Sequence, residues 1–295
     1  MFSSTMEVVP CPPDQRAEAL WLLYRRAPES LRASLVTEAL EDAETHQLDL
    51  SGLWIARRRG KLSGALLTQS LAGRAAAVWP PEIDGGWGRK ALGTALVRSA
   101  LDDLRSQGFR VAQALLDEST SRSSAAALIQ GGMPHVTDLV YLGRSTEASL
   151  GLPLSAPLLE WESFGPATEP EFRSVLVRTY LGSLDMPELE GVRSLDDVMS
   201  GHQASGRFDP TRWQMGRLAS EPEACALLLL ADQPDRDAWE VAYLGLAPEA
   251  RGRGLGHQVL ARALELARPH RPRLELAVDT RNEPAVRLYR AAGFT

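Results

Sequence analysis

Glu240-Val241-Ala242-Tyr243-Leu244-Gly245-Leu246-Ala247-Pro248-Glu249-Ala250-Arg251-Gly252-Arg253-Gly254-Leu255-Gly256 is the stretch on which the fold turns. A strand-like run enters a glycine-rich turn, and a helical period follows at once in Leu255, Val259, Leu260, Ala263 and Leu266. Physically this is an anion cradle. Glycines let the backbone come close to a ligand, a helix N-terminus offers unpaired N–H groups, and Arg251 and Arg253 add charge. No Gly-Lys-Ser/Thr follows the glycines, so the turn is not a P-loop. A dinucleotide site also fails, although Asp279 closes the next strand 25 residues beyond Gly254. The glycines run G-x-G-x-G rather than G-x-G-x-x-G, and the 16 residues after Asp279 are too few for a doubly wound sheet.

Working outward, a related pattern stands 163 residues earlier, at Gly88-Arg89-Lys90-Ala91-Leu92-Gly93. Each pattern opens an apolar helix and leads to a short strand, Val111 to Leu116 or Leu274 to Val278. An Ala-rich helix then ends in glycine, Ser123 to Gly132 or Glu283 to Gly293. The chain therefore reads as a tandem repeat of one α/β unit with a mixed sheet of the α+β kind. The expected domains are residues 1–150 and 151–295, with a seam at Ser149 to Pro157, where Gly and two prolines break the pattern. Before its glycine turn the first half reads as helices (Asp14 to Arg26, Glu29 to Leu48) and a hairpin, Leu53 to Arg57 and Leu62 to Gln69, turning at Arg59-Gly60. The second half reads as a strand (Leu158 to Phe164), two helices (Glu169 to Leu181, Ser194 to Gln203) and strands at Arg212 to Leu218, Ala224 to Leu230 and Glu240 to Leu246.

Of the 295 residues, 44% are hydrophobic and 24% charged, the composition of an ordinary globular protein. A net charge of −6 argues against a nucleic-acid partner. The longest apolar run, Ala224 to Ala231, is far short of the ~20 residues of a membrane-spanning helix, so no membrane role is expected. The N-terminus carries no signal-peptide pattern, and the expected location is cytoplasmic. Two cysteines, Cys11 and Cys225, make no disulfide framework, and the five histidines show no metal-ligand spacing. No metal is expected.

Arg251, Gly254 and Gly256 fit the pattern Arg/Gln-x-x-Gly-x-Gly/Ala, which resembles the coenzyme A pyrophosphate loop of the GNAT superfamily of N-acetyltransferases. Asn282-Glu283-Pro284-Ala285, then Tyr289 and Gly293-Phe294, are similar to that family's second signature. The resemblance implies two tandem GNAT-like domains and acetyl-CoA as co-substrate. It further implies transfer of acetyl to a primary amine, borne by a small molecule or a peptide. Amides from Leu246 and from Arg251, Gly252, Arg253, Gly254, Leu255 and Gly256 would hold the pyrophosphate and pantetheine arm, and Asn282 would contact that arm. Tyr289 would protonate the departing thiolate. Glu240, eleven residues before Arg251, resembles in spacing the base of histone-acetyltransferase members; it reads equally as a solvent-facing strand residue.

Asp185, Glu188, Asp196 and Asp197 read first as a solvated face and second as an attraction for a cationic amine. Arg207, Asp209 and Trp213 are further loop candidates, and Arg262, Arg268 and Arg271 are exposed charges or a field for the adenosine phosphate. The first half departs from the pattern. At the same offsets Gly88 stands for Arg251, Ala91 for Gly254, Ala77 for Glu240, Ser121 for Asn282 and Leu128 for Tyr289. Pro80 and Pro81 remove N–H donors where the cofactor strand needs them. A degenerate first domain is expected. The first repeat continues into a strand, His135 to Gly143, whereas the second reaches Thr295 without one. Either a tail is missing or a strand from elsewhere fills the gap. Two other functions remain open: a non-catalytic acyl-CoA sensor or scaffold, and acetylation of a small thiol-bearing amine in the manner of mycothiol synthase, a tandem GNAT enzyme.

Overall fold

The computed structural model describes residues 6–86, 88–150 and 158–295, which fall into two units, Met1–His135 and Val136–Thr295. The first unit contains β1 (Met6–Pro10), α1 (Arg16–Leu23), α2 (Glu29–Glu44), β2 (Leu53–Arg58), β3 (Lys61–Leu71), β4 (Ala75–Val78), β5 (Glu82–Ile83), α3 (Arg89–Ser106), β6 (Val111–Gln113) and α4 (Arg122–Gly131). Arg59 and Gly60, both at positive φ, close the expected hairpin. The sheet runs β1-β2-β3-β4-β6, with β5 also on β3. Helices cover both faces: Leu20, Leu23 and Val36 fill one core, and Leu92, Leu96, Val97 and Leu128 the other.

The second unit contains β7 (Leu139–Ser145), β8 (Leu159–Ser163), α5 (Glu169–Tyr180), α6 (Leu195–Gln203), β9 (Trp213–Leu218), β10 (Ala224–Gln233), β11 (Ala238–Leu246), α7 (Leu255–Ala267), β12 (Arg273–Asp279) and α8 (Glu283–Ala291). Its sheet runs β7-β12-β11-β10-β9-β8. The run Ala224–Ala231 is buried throughout because β10 lies mid-sheet with helices on both faces. Leu228 and Leu230 point into the core under α7 and α8, and Leu227 and Leu229 into the core under α5 and α6.

The strand read as the end of the first repeat behaves differently from that reading. β7 lies in the second unit and pairs antiparallel with β12 over seven positions, Leu139↔Asp279 to Ser145↔Arg273. Thr295 closes on it through a pair of 3.0 Å backbone bonds with Gly143. A strand from elsewhere in the chain therefore fills the gap beside β12. Residues 151–157 of the expected seam lie outside the described residues.

Both units follow the same offset in packing. A Cβ on Gly93 would come 2.9 Å from Ala127, and one on Gly256 would come 2.8 Å from Leu288. Relative to that match α3 starts one turn earlier than α7. Gly88 caps α3 at φ 82°, and Gly254 caps α7 at φ 76°. The extra turn of α3 is built from good helix formers, Arg89, Lys90 and Ala91, and occupies positions that the second unit leaves as a glycine loop. β4 stops at Val78, ahead of Pro80 and Pro81.

Candidate active site

β11 and β12 run parallel, but they are laddered only over Ala238–Glu240 against Arg273–Glu275. Beyond that point β12 stays on β7 and β11 stays on β10, so the two strands part and a cleft opens between them. A bulge marks the parting: Leu229 faces Tyr243 and Leu230 faces Val241, leaving Ala242 as the extra residue. The bulge inverts the alternation. Ala242 and Tyr243 both pack toward α5 and α6, while Leu244 and Leu246 pack toward α7 and α8.

The strand ends at the glycine turn, where Gly252 (φ 73°) and Gly254 (φ 76°) both take the left-handed conformation that glycine adopts without steric cost. The first amides of α7 follow directly. Gly256 is there for packing, since it lets α7 approach Leu288 of α8. The Arg251 guanidinium is hydrogen-bonded to backbone carbonyls. Its Nε donates to Leu246 O (3.1 Å), Nη1 to Gly182 O (3.0 Å) and Nη2 to Thr179 O (3.0 Å), tying the end of α5 to the end of β11. Arg253 pairs with Glu221 at 3.2 Å. Asn282 caps α8 by accepting from the amide of Ala285.

Tyr289 of α8 is buried against Phe294, with ring centroids 5.9 Å apart. Burial, reinforced by the nearby Asp185 and Tyr243, pushes its phenol well above the usual tyrosine range. Tyr243 is pushed up to about 12, chiefly by burial, with its hydrogen bond to Thr179 Oγ1 (2.9 Å) working the other way. Tyr180 lies against Tyr243, its hydroxyl 2.8 Å from Nε2 of His202. Burial and then Arg193 lower His202 to about 4, so its ring is neutral near pH 7. Sequence reasoning missed Tyr180, His202 and Tyr243. The one signal available was a tyrosine inside an otherwise apolar strand.

Glu240 stands apart from this cluster, roughly 10 Å up the strand from Tyr243. It lines a groove of about 290 Å³ together with Glu275, Arg236 and Arg273. Its carboxylate accepts from Gln233 Nε2 (3.0 Å) and Arg236 Nη2, and Arg236 also reaches Glu275 at 3.3 Å. The acidic residues of the α5–α6 segment have local duties. Asp197 forms a capping box with Ser194, Asp196 pairs with Arg173, and Glu188 takes a bidentate bond from Arg281. Asp185 accepts the amide of Asp279. Burial alone would raise the Asp279 carboxyl, but bonds from Arg281, Thr137 and the Met186 amide outweigh it and hold the group well below the usual carboxylate range. Asp279 thereby pins the loop after α5 beside the cleft. Arg262 and Arg268 are likewise engaged locally, with Gln214 and the carbonyl of Thr146. Among the described residues no cluster of His, Cys, Asp or Glu is placed to hold a metal, and no helix is long and apolar enough to cross a membrane.

Residues 186–294 match the model of the Acetyltransferase (GNAT) family. A mycothiol acetyltransferase of Mycobacterium leprae is 28% identical over 234 residues, covering 70% of this chain and 68% of that protein. One from Beutenbergia cavernae is 32% identical over 176 residues, or 56% and 57% of the two chains. Among solved structures, a GCN5-related N-acetyltransferase from Sphaerobacter thermophilus superposes with a TM-score of 0.61 at 18% identity, over 98% of this chain and 92% of that one. With its bulged strand parting from its neighbour and a glycine turn at the strand's end, the second unit carries the matched GNAT acetyltransferase domain, residues 186–294.

Proposed function

We propose that the second unit transfers acetyl from acetyl-CoA to a primary amine by direct attack within a ternary complex. The observation that carries this reading is the parting of β11 from β12 at the Ala242 bulge, directly above the glycine turn. Unladdered β11 amides would receive the pantetheine arm, and the amides from Gly252 to Gly256 the pyrophosphate. The amine nitrogen attacks the thioester carbon and gives up a proton; the thiolate leaves and takes one. Tyr289 serves as the acid, since its buried phenol stays protonated over the whole working range and a coenzyme A thiol has an ordinary pKa of ~8.5. Glu240 serves as the base. Its carboxylate is shared with Gln233 and Arg236, and a chain of waters carries the proton across the roughly 10 Å that separates it from Tyr243. Arg251 holds the walls of the cleft rather than the phosphates. Cys11 and Cys225 are both buried, which raises their thiols and leaves neither suited to an acyl-enzyme. The shared name of the relatives, mycothiol acetyltransferase, favours a small thiol-bearing amine over a peptide as acceptor.

Calorimetric titration with acetyl-CoA tests the reading. One site per chain is expected, lost in Gly254→Asp, which puts a carboxylate on a left-handed residue facing the anion. Two sites would restore function to the first unit, and no site would sink the proposal. Tyr289→Phe should keep the site yet cut thiol release with an amine panel by about 100-fold, and Glu240→Gln should act in the same direction. Cofactor binding without turnover on any amine would leave the chain an acyl-CoA-binding scaffold.

A further inference from the structure

Trp239, at the foot of β11, is 5% exposed, and its indole N–H has no acceptor. Beside it stands a second buried donor in the same condition. The guanidinium carbon of Arg212 lies 5.5 Å from the indole centroid; its Nη1 donates to Leu266 O at 2.8 Å and its Nη2 meets His270 Nε2, while its Nε–H is left without a partner. Asp209 faces that nitrogen with Oδ2 at 3.5 Å, an ion-pair distance too long for a good hydrogen bond, while its Oδ1 accepts from the amide and hydroxyl of Thr211. Trp239, Arg212 and Asp209 all line one cavity of about 500 Å³.

The rest of the lining is donor-rich as well. A guanidinium can only donate, so His270 Nε2 accepts from Arg212 and the imidazole proton sits on Nδ1. Arg271 is matched by a bidentate contact with Asp232, at 2.8 and 3.2 Å. Arg207 is held in place by its backbone amide on Asp232 O (2.9 Å), but its guanidinium has no acceptor among the described residues. The cavity therefore keeps one uncompensated positive charge, on Arg207, and two buried N–H groups without a hydrogen-bonded oxygen, of which the Arg212 one has a carboxylate facing it. Folded proteins leave few such donors unmet, and these two adjoin in a single pocket.

We propose that this cavity is a second ligand site, for a small oxyanion, with the carboxylate or phosphate group of a metabolite accepting from Trp239 Nε1 and Arg207. It is separate from the glycine turn, and the neighbouring Glu240 lines a different groove. Trp239 and Leu246 stand at opposite ends of β11, roughly 20 Å apart along the strand.

The test is titration of the whole chain with inorganic phosphate and, separately, with malonate, at constant ionic strength in chloride, followed by calorimetry and thermal melting. Saturable binding of at least one anion is expected, weakened by about tenfold or more in Arg207→Gln and in Trp239→Phe and retained in Gly254→Asp. A preference for phosphate or for malonate tells a phosphoryl ligand from a carboxylate. If Trp239→Phe does not fold, Arg207→Gln, a change at an exposed residue, carries the test alone. Absence of saturable binding would mean a cavity that holds water only and would overturn the proposal. So would binding indifferent to both substitutions, or binding that acetyl-CoA displaces and Gly254→Asp abolishes, which would assign the anion to the glycine turn.

Discussion

At Gly245 a methyl group would land 2.7 Å from Cβ of Thr179 and 2.7 Å from the Tyr243 hydroxyl. Neither neighbour has room to retreat, since Thr179 is bonded to Leu176 O and Tyr243 is packed between Tyr180 and His202. Gly245→Ala should cost about 1–3 kcal/mol in urea denaturation and should lower acetyl transfer by displacing Tyr243 from the cleft wall. Glycine was visible at this position in the sequence, but the reason for it was not, because one clash is with a helix more than sixty residues away and the other with a side chain which that helix holds in place. Arg251 teaches the same lesson. Motif spacing located it, yet its three carbonyl partners come from β11 and the end of α5, and only the fold reveals that its donors are already engaged. The place of Tyr289 on the last helix was readable, because that helix carries its own start signal in Asn282 and its own stop in Gly293.

Helix α6 brings a titratable ring into an aromatic enclosure formed by Tyr180, Trp213 and Tyr243. In the unfolded chain His202 takes up a proton near pH 6.5, whereas in the fold it does so only near 4. The unfolded state therefore binds more protons between these values. The stability due to this residue is complete above pH 6.5 and is lost as pH falls toward 4, by up to roughly 3 kcal/mol. Chemical denaturation at pH 7.5 and pH 5 should show the loss in the parent protein, and His202→Gln should flatten the dependence within that window. Elements with a strong local period were legible: α3 and α7 from their apolar spacing, and β10 from its unbroken run. Short strands such as β4 and β5 were not, because two to four residues carry no period and are fixed by their pairing with β3.

For the whole molecule, the lesson lies in β7. A strand's alternation says which face it buries and nothing about which neighbour it joins. Chain order assigned it to the first repeat, while the ladder joins it to β12. A fragment of residues 136–295 should accordingly be soluble and fold cooperatively. One of residues 158–295 would expose the full edge of β12 and should aggregate or melt at markedly lower temperature, as read by size-exclusion chromatography and circular dichroism. Equal behaviour of the two fragments would show that the β7 ladder adds little to the second unit.

The order of synthesis gives that ladder a further consequence. Residues 139–145 leave the ribosome about 130 residues before their partner strand does, a wait on the order of 10 s at ordinary translation rates. Throughout that interval the nascent chain carries an unpaired strand. Closing the second sheet is then a long-range step, slow by the nature of its loop and dependent on whatever keeps that strand from finding another partner first.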